Sequence, residues 1–520
     1  MQASPYLALT HDINIVLNHL EIDGSIWGPG KKIHLMAITN RLKNQHLLWR
    51  AAFGPMAENA ATLDDISQKQ LWALLLKTSA KAPQKLAVAT NLTNGLVEGV
   101  KDLVMQDQLT KEQKGRMRRQ QSREDLRNMN LLWIEQMVNS QAQLREKISL
   151  FWHNHFSCRV INSFFQQELL HIVRSNALGN FGTLLREVSK CPSMLQFLNN
   201  QQNKKGRPNE NFAREVMELF TMGRGHYSEN DIKEAARAFT GWGFNTEGEF
   251  VFRKNQHDTG SKTVLGKTGN FDGDDILTIL LEQPQTAVYI TQKIYRHFVN
   301  EQPNDKNIQW LAQRFYDNNY DITKLLTDIF TSDWFYAQEN IGNMIKSPID
   351  LIVGIRRFLP MQLDKDESQL LFQKVLGQIL FYPPNVAGWP GGRSWIDSST
   401  LMLRMQLPQV LAAKESINIT AKNDDDVNMG MKMEERLRIS RNKEYVNKGA
   451  SAEIDWKLVN KIFEKTSREN LPKQIADTLL QTSSRINWNT LETYISKSSR
   501  ENFIKSTVIQ LMATPEYQLC

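Results

Sequence analysis

Between Asn209 and Gly223 the chain places three carboxylates (Glu210, Glu215, Glu218), an arginine (Arg214) and two asparagines within about four helical turns, with no lysine. An ordinary surface helix spends its polar positions on lysine–glutamate pairs. This one spends them on groups that coordinate, orient and accept protons. At about 100° per residue, Phe212, Val216, Leu219 and Phe220 form one apolar stripe that faces a core. Glu210, Arg214 and Glu218 lie opposite, and Glu215 sits at the edge of the stripe, where a carboxylate is partly desolvated. A second amphipathic helix follows, capped by Ser228 with Asp231 three residues on and ended by Gly241; it adds Glu234 and Arg237. The alternative is a pair of helices fixed by a structural Arg–Glu network, which imitates an active site.

Upstream, Leu150-Phe151-Trp152-His153-Asn154-His155-Phe156 carries the only His-x-His among ten histidines. In an extended turn the two imidazoles point to one side, as metal ligands do. On a helix they diverge, and the segment Leu144–Phe151 before them reads as helix. Downstream, Phe250-Val251-Phe252 and Thr263-Val264-Leu265 flank Asp258-Thr259-Gly260, which predicts a hairpin near 248–266 presenting His257, Asp258 and Lys262. A turn held by its own Asp and Gly explains the same residues. The Pro- and Gly-rich loop Phe381–Ile396 holds Trp389 and Trp395, which either wall a ligand site or plug the core beneath the loop.

Two chemistries suit this set. One is a divalent metal ion with mixed His and carboxylate ligands, for which His153, His155 and Glu210 are the candidates. The other is general acid–base work by Glu215, Glu218, Arg237, His257 and Asp258. Arg214, Lys262, Trp389 and Trp395 are the candidate ligand-binding groups in either case. The serine elbow Gly-x-Ser-x-Gly, the phosphate loop, the dinucleotide fingerprint, His-Glu-x-x-His and Cys-x-x-Cys pairs are all absent from the sequence.

The elements that must position these groups are mainly helical. Periodic apolar segments run at Leu63–Ser79, Arg123–Phe151, Phe164–Arg174, Gly182–Val188 and Asn209–Met222. Others run at Asp231–Phe239, Asp274–Leu281, Gln285–Val299, Asn307–Tyr316, Ile322–Thr331 and Pro348–Phe358. The expected architecture is a large multi-helix domain over 1–410 with a small β-hairpin insertion. A linker at 411–426, which contains Asn423-Asp424-Asp425-Asp426, then leads to a polar helical C-terminal lobe over 427–520 that packs on the core.

Several ordered motifs resemble a large bacterial family without an assigned activity, the domain-of-unknown-function family eighteen hundred. They are His46–Gly54, the Phe-Trp-His-Asn-His-Phe run, Asn176–Phe181, the Asn-Glu-Asn helix, Ala236–Trp242, His257-Asp258-x-Gly260-x-Lys262, Pro383–Gly392 and Thr514–Leu519. The resemblance spans His46 to the end and is weakest between about 415 and 505. Members are often encoded beside a sulfatase-like family, so the resemblance implies a sulfatase-like partner or a shared pathway.

Composition bounds the remainder. At 520 residues, 41% hydrophobic and 23% charged, the chain is globular and long enough for a large core. Part of the net charge of +7 is local to Lys111–Arg127, read as a solvated helical arm. Without interleaved aromatics it is not expected to bind nucleic acid. No apolar run reaches membrane-spanning length, about 18 residues. Met1-Gln2-Ala3-Ser4-Pro5 lacks a signal-peptide pattern, so the chain reads as cytoplasmic as written, or as exported with a partner or after signal removal. Three cysteines are too few for a disulfide scaffold. These observations lead to three functional expectations. The first is a metal-assisted hydrolase acting on a glycan or glycan ester. The others are a metal-independent carboxylate glycosidase or lyase, and a non-catalytic scaffold for the sulfatase-like partner.

Overall fold

A computed structural model describes residues 38–89, 110–413, 451–482 and 486–520. Met1–Pro5, Asn423–Asp426 and all but residues 411–413 of the expected linker lie outside the described residues, as does 427–450 of the expected lobe. Within them the chain is mainly α-helical, with three two-stranded antiparallel sheets. The periodic segments form helices close to their expected bounds, among them Ser163–Asn176, Glu229–Ala238, Pro284–Phe298, Asp305–Asp317 and Pro348–Phe358. Their starts are chemically marked. Ser67, Thr110, Ser228, Asp272 and Ser347 each close a capping box, with the N-cap side chain on the N3 backbone and the N3 side chain returning.

Three local departures have physical causes. The segment expected as one helix at 123–151 is two, Lys111–Asn139 and Gln143–His155. Between them Ser140 is extended, and Gln143 turns its amide back onto Met137 O (2.8 Å) and Ser140 O (2.6 Å). The carboxylate segment is α-helical only over Asn211–Glu215 and then widens into a π-helix over Val216–Met222. The Thr221 hydroxyl follows that register, donating to Val216 O at 2.7 Å. The buried side therefore takes in Met217 and Thr221, and Leu219 is left half-buried.

The third departure corrects the hairpin. Phe250–Phe252 does not pair with the strand at 262–264. It pairs with Trp242–Phe244, and Lys262–Val264 pairs with Lys267–Gly269. Leu265 and Gly266, both at positive φ (49° and 78°), form the tight turn of the second hairpin. Each strand takes the partner that closes the shorter loop, which costs less chain entropy.

The main core joins Leu47, Trp72, Phe151, Trp152, Phe181, Phe212, Phe220, Phe239 and the helices out to Phe335. A second core joins the helices at 348–376 and 398–413 to segments beyond residue 451, and there Met361–Leu363 pairs with Ala452–Ile454.

Candidate functional site

The C-terminal end of the carboxylate helix shows what positions it. The last carbonyls of a helix have no partner within the helix. Here three of them are taken by side chains from two neighbouring helices. Tyr289 Oη donates to Leu219 O (3.2 Å), His155 Nε2 bonds Phe220 O (3.2 Å), and Gln285 Nε2 donates to Met222 O (3.1 Å). His155 thus serves as a helix cap. Burial, reinforced by the Lys293 charge, holds its imidazole well below the ordinary histidine range, so it stays neutral with Nε2 protonated. Its Nδ1 is buried without a partner.

His153 is used elsewhere. Both histidines lie on the helix Gln143–His155, where a spacing of two turns the side chains about 200° apart. His153 Nε2 accepts the Phe381 N–H at 3.2 Å, and its ring is caged by Trp133, Phe381 and Trp389 at centroid distances of 5.2, 5.1 and 5.6 Å. Burial pushes it down to about 3. The two imidazoles therefore do not form a shared donor pair. Glu210, the third expected metal ligand, faces Arg214 at 3.4 Å. Among the described residues no group of three or more His, Cys, Asp or Glu side chains is placed to hold a metal ion.

The expected ligand-binding and hairpin groups are likewise engaged. Trp389 and Trp395 are buried, so neither offers an exposed wall; the plug is what the fold contains. Asn154 holds the loop by accepting the Trp389 N–H at 2.8 Å. Gly388, at φ +86°, lies so close that an added Cβ would meet Asn154 Oδ1 at 2.2 Å. Arg237 grips Asp258 through Nε (2.9 Å) and Nη2 (3.2 Å), and Glu234 through Nη1 (2.9 and 3.0 Å). That guanidinium, with the Gly260 N–H, lowers the Asp258 carboxyl to about 2. His257 Nδ1 bonds Thr240 O at 3.0 Å, and Lys262 Nζ donates to Asp258 O (2.6 Å) and Gly260 O (3.0 Å). Asp258, His257 and Lys262 therefore build the turn. Among the described residues no hydrogen bond joins this network to Glu215 or Glu218.

Glu215 stands apart from all of these. It is half-buried, and among the described residues it accepts no hydrogen bond and forms no ion pair. Burial, and then the Glu218 charge, raise its carboxyl above the ordinary glutamate range. One turn further on, Glu218 is clamped: Tyr227 Oη donates to Oε2 (2.7 Å), and Arg224 donates to Oε1 from Nη2 (2.6 Å) and Nε (2.9 Å). These donors lower Glu218, the Tyr227 hydroxyl most. On the other flank Arg214 forks onto exposed Glu229 at 2.9 and 2.7 Å. The sequence reading missed Arg224 and Tyr227, which sit in a loop without periodicity. It also missed Lys293, whose spacing from Tyr289 and His297 on one helix flank was a usable signal. Burial lowers Lys293 to about 8.

The chain belongs to the family described as protein of unknown function (DUF1800), whose model matches residues 46–519. No curated protein and no solved structure gives a significant match.

Proposed function

We propose that the protein is a carboxylate-based acid–base enzyme of the hydrolase or lyase type, with a glycan or related polyhydroxylated compound as substrate. One observation carries the reading. Two carboxyls one helical turn apart have opposite surroundings, Glu215 without a partner and half out of water, Glu218 clamped by a phenol and a guanidinium. Such divergence splits a pair into a proton donor and a fixed anion. Glu215 is the group that holds and transfers the proton. Glu218 stays ionised, orients polar substrate groups through Tyr227 and Arg224, and keeps the Glu215 proton in place by its charge.

A panel of oligosaccharides, aryl glycosides and sugar esters tests the reading. Turnover by the wild type that is lost in Glu215→Gln, with folding retained, supports it. Equal turnover by both proteins overturns it. Wild type inert on the whole panel that co-purifies with a sulfatase-like protein favours the scaffold reading instead. Metal bound in stoichiometric amount and required for turnover would return His153, His155 and Glu210 to consideration.

A further inference from the structure

Where the helix Pro348–Phe358 begins, four cationic side chains are buried around one carboxylate. Arg50 comes from the helix Asn40–Ala51, Lys147 from Gln143–His155, Lys346 from the segment before Ser347, and Arg404 from Ser398–Ala413. They are 2%, 4%, 1% and 0% exposed, and the carboxylate, Asp350, is 7% exposed. Asp350 is already committed. Its Oδ1 takes Lys147 Nζ at 2.6 Å, and its Oδ2 takes the Ser347 hydroxyl at 2.8 Å.

Among the described residues the other three cations have no carboxylate side chain bonded to them. Arg50 Nη2 donates to Asn340 O (3.0 Å), Asn343 Oδ1 (2.9 Å) and Cys520 O (2.8 Å). Arg404 Nη1 donates to Lys346 O at 2.9 Å. Lys346 Nζ donates to Tyr517 O at 2.5 Å and lies 3.6 and 3.7 Å from the ring centroids of Trp49 and Tyr517. That leaves Nε and Nη1 of Arg50, and Nε and Nη2 of Arg404, buried without a hydrogen-bond partner. Burial lowers Arg50, Lys346 (to about 7) and Arg404 (to about 10), and the Asp350 charge counters it in each case. For Arg50 and Lys346 a charge at Cys520 counters it more strongly than Asp350 does. Lysine can shed its proton under such pressure, but arginine cannot. Two guanidinium groups with free donors therefore stay charged in a region from which water is largely excluded. Asp350 and the Cys520 charge offset part of that charge, but neither meets the free donors, which an anion placed against them would satisfy. The surface is close: Arg50 also feels exposed Glu301, whose carboxylate lies against Gly392 of the tryptophan loop.

We propose that this buried cluster is a binding site for a small oxyanion, held by the unpartnered guanidinium edges of Arg50 and Arg404 beside Lys346. The forked donors suit the oxygens of a phosphate, sulfate or carboxylate group. The inference is independent of the role of Glu215.

Sulfate and phosphate, titrated into the full chain at ionic strength held constant with chloride, test it by calorimetry and by melting temperature. The expected result is a saturable response to one anion per chain. Arg404→Met weakens it by about tenfold or more, the loss of a charge-assisted hydrogen bond. Arg314→Met, which removes a surface guanidinium paired with Asp328, leaves it unchanged. A response that does not saturate, or one equal in wild type and Arg404→Met, overturns the proposal. If Arg404→Met fails to fold, selenate soaked into crystals of the wild type decides by its anomalous signal. A peak at the free edges of Arg50 and Arg404 supports the site, and only water there overturns it. Phosphate binding more tightly than sulfate identifies a phosphate group as the preferred ligand; the reverse order identifies sulfate.

Discussion

Arg174 grips Glu146 through two hydrogen bonds, Nη2 to Oε1 at 2.6 Å and Nε to Oε2 at 3.0 Å, with both side chains out of water. Trp133 Nε1 donates to the same carboxylate at 2.9 Å, so the pair ties together the helices Lys111–Asn139, Gln143–His155 and Ser163–Asn176. Removing one partner leaves the other as an uncompensated buried charge. Glu146→Gln or Arg174→Met should each cost about 3–5 kcal/mol in urea unfolding. Replacing both together should cost less than the sum of the two, because no lone charge is left behind.

Trp389 plugs the core over His153, so Trp389→Ala leaves a cavity. The expected loss is about 3–5 kcal/mol, read as a large drop in melting temperature. A ligand-stacking tryptophan would behave in the opposite way, with stability nearly intact and ligand affinity reduced. A melting temperature within a few degrees of wild type would remove the plug.

Asp258 supports the fold through its ionised form. Arg237 lowers its folded pKa to about 2, below the unfolded value of about 3.9. Its stabilisation is therefore present above pH 4 and lost as pH falls through about 2. Asp258→Asn should melt below wild type at pH 7, and the gap should close near pH 2. Because the pair is partly exposed, salt should narrow the gap at neutral pH. A gap that persists unchanged into acid would mean that the carboxylate charge is not what matters.

What the sequence made legible follows the range of the interactions. Apolar spacing and capping boxes are local, and the helices they mark, such as Glu229–Ala238 and Pro348–Phe358, formed where expected. The π-helix at Val216–Met222 was not legible, because a wheel at 100° per residue presupposes the α register. His155 reads in sequence as a metal ligand. Its use as a cap for Phe220 depends on a helix end 65 residues away. Glu215 was legible at the edge of an apolar stripe. Its lack of a partner was not, since Arg214 one position earlier turns toward Glu229. Arg50, Lys346 and Arg404 carry no local mark. They are brought together only when three separate segments pack.

The Glu215 carboxyl gives the sharpest separation between catalysis and scaffolding. Its folded pKa lies above the ordinary glutamate value through burial and the neighbouring Glu218. The protonated form then stabilises the fold fully below the unfolded value, about 4.3, and that stabilisation is lost as pH rises through the raised folded value. Above that window the wild type has lost this contribution, which Gln, with no proton to lose, retains. Glu215→Gln should melt above wild type at pH 7, and the difference should shrink to nothing below pH 4. The same variant should lose turnover on any substrate that the wild type consumes. Together these results describe a group kept at a cost to stability for the sake of chemistry. A structural glutamate behaves otherwise: its replacement lowers the melting temperature at pH 7, and that outcome would withdraw Glu215 from the proposed mechanism.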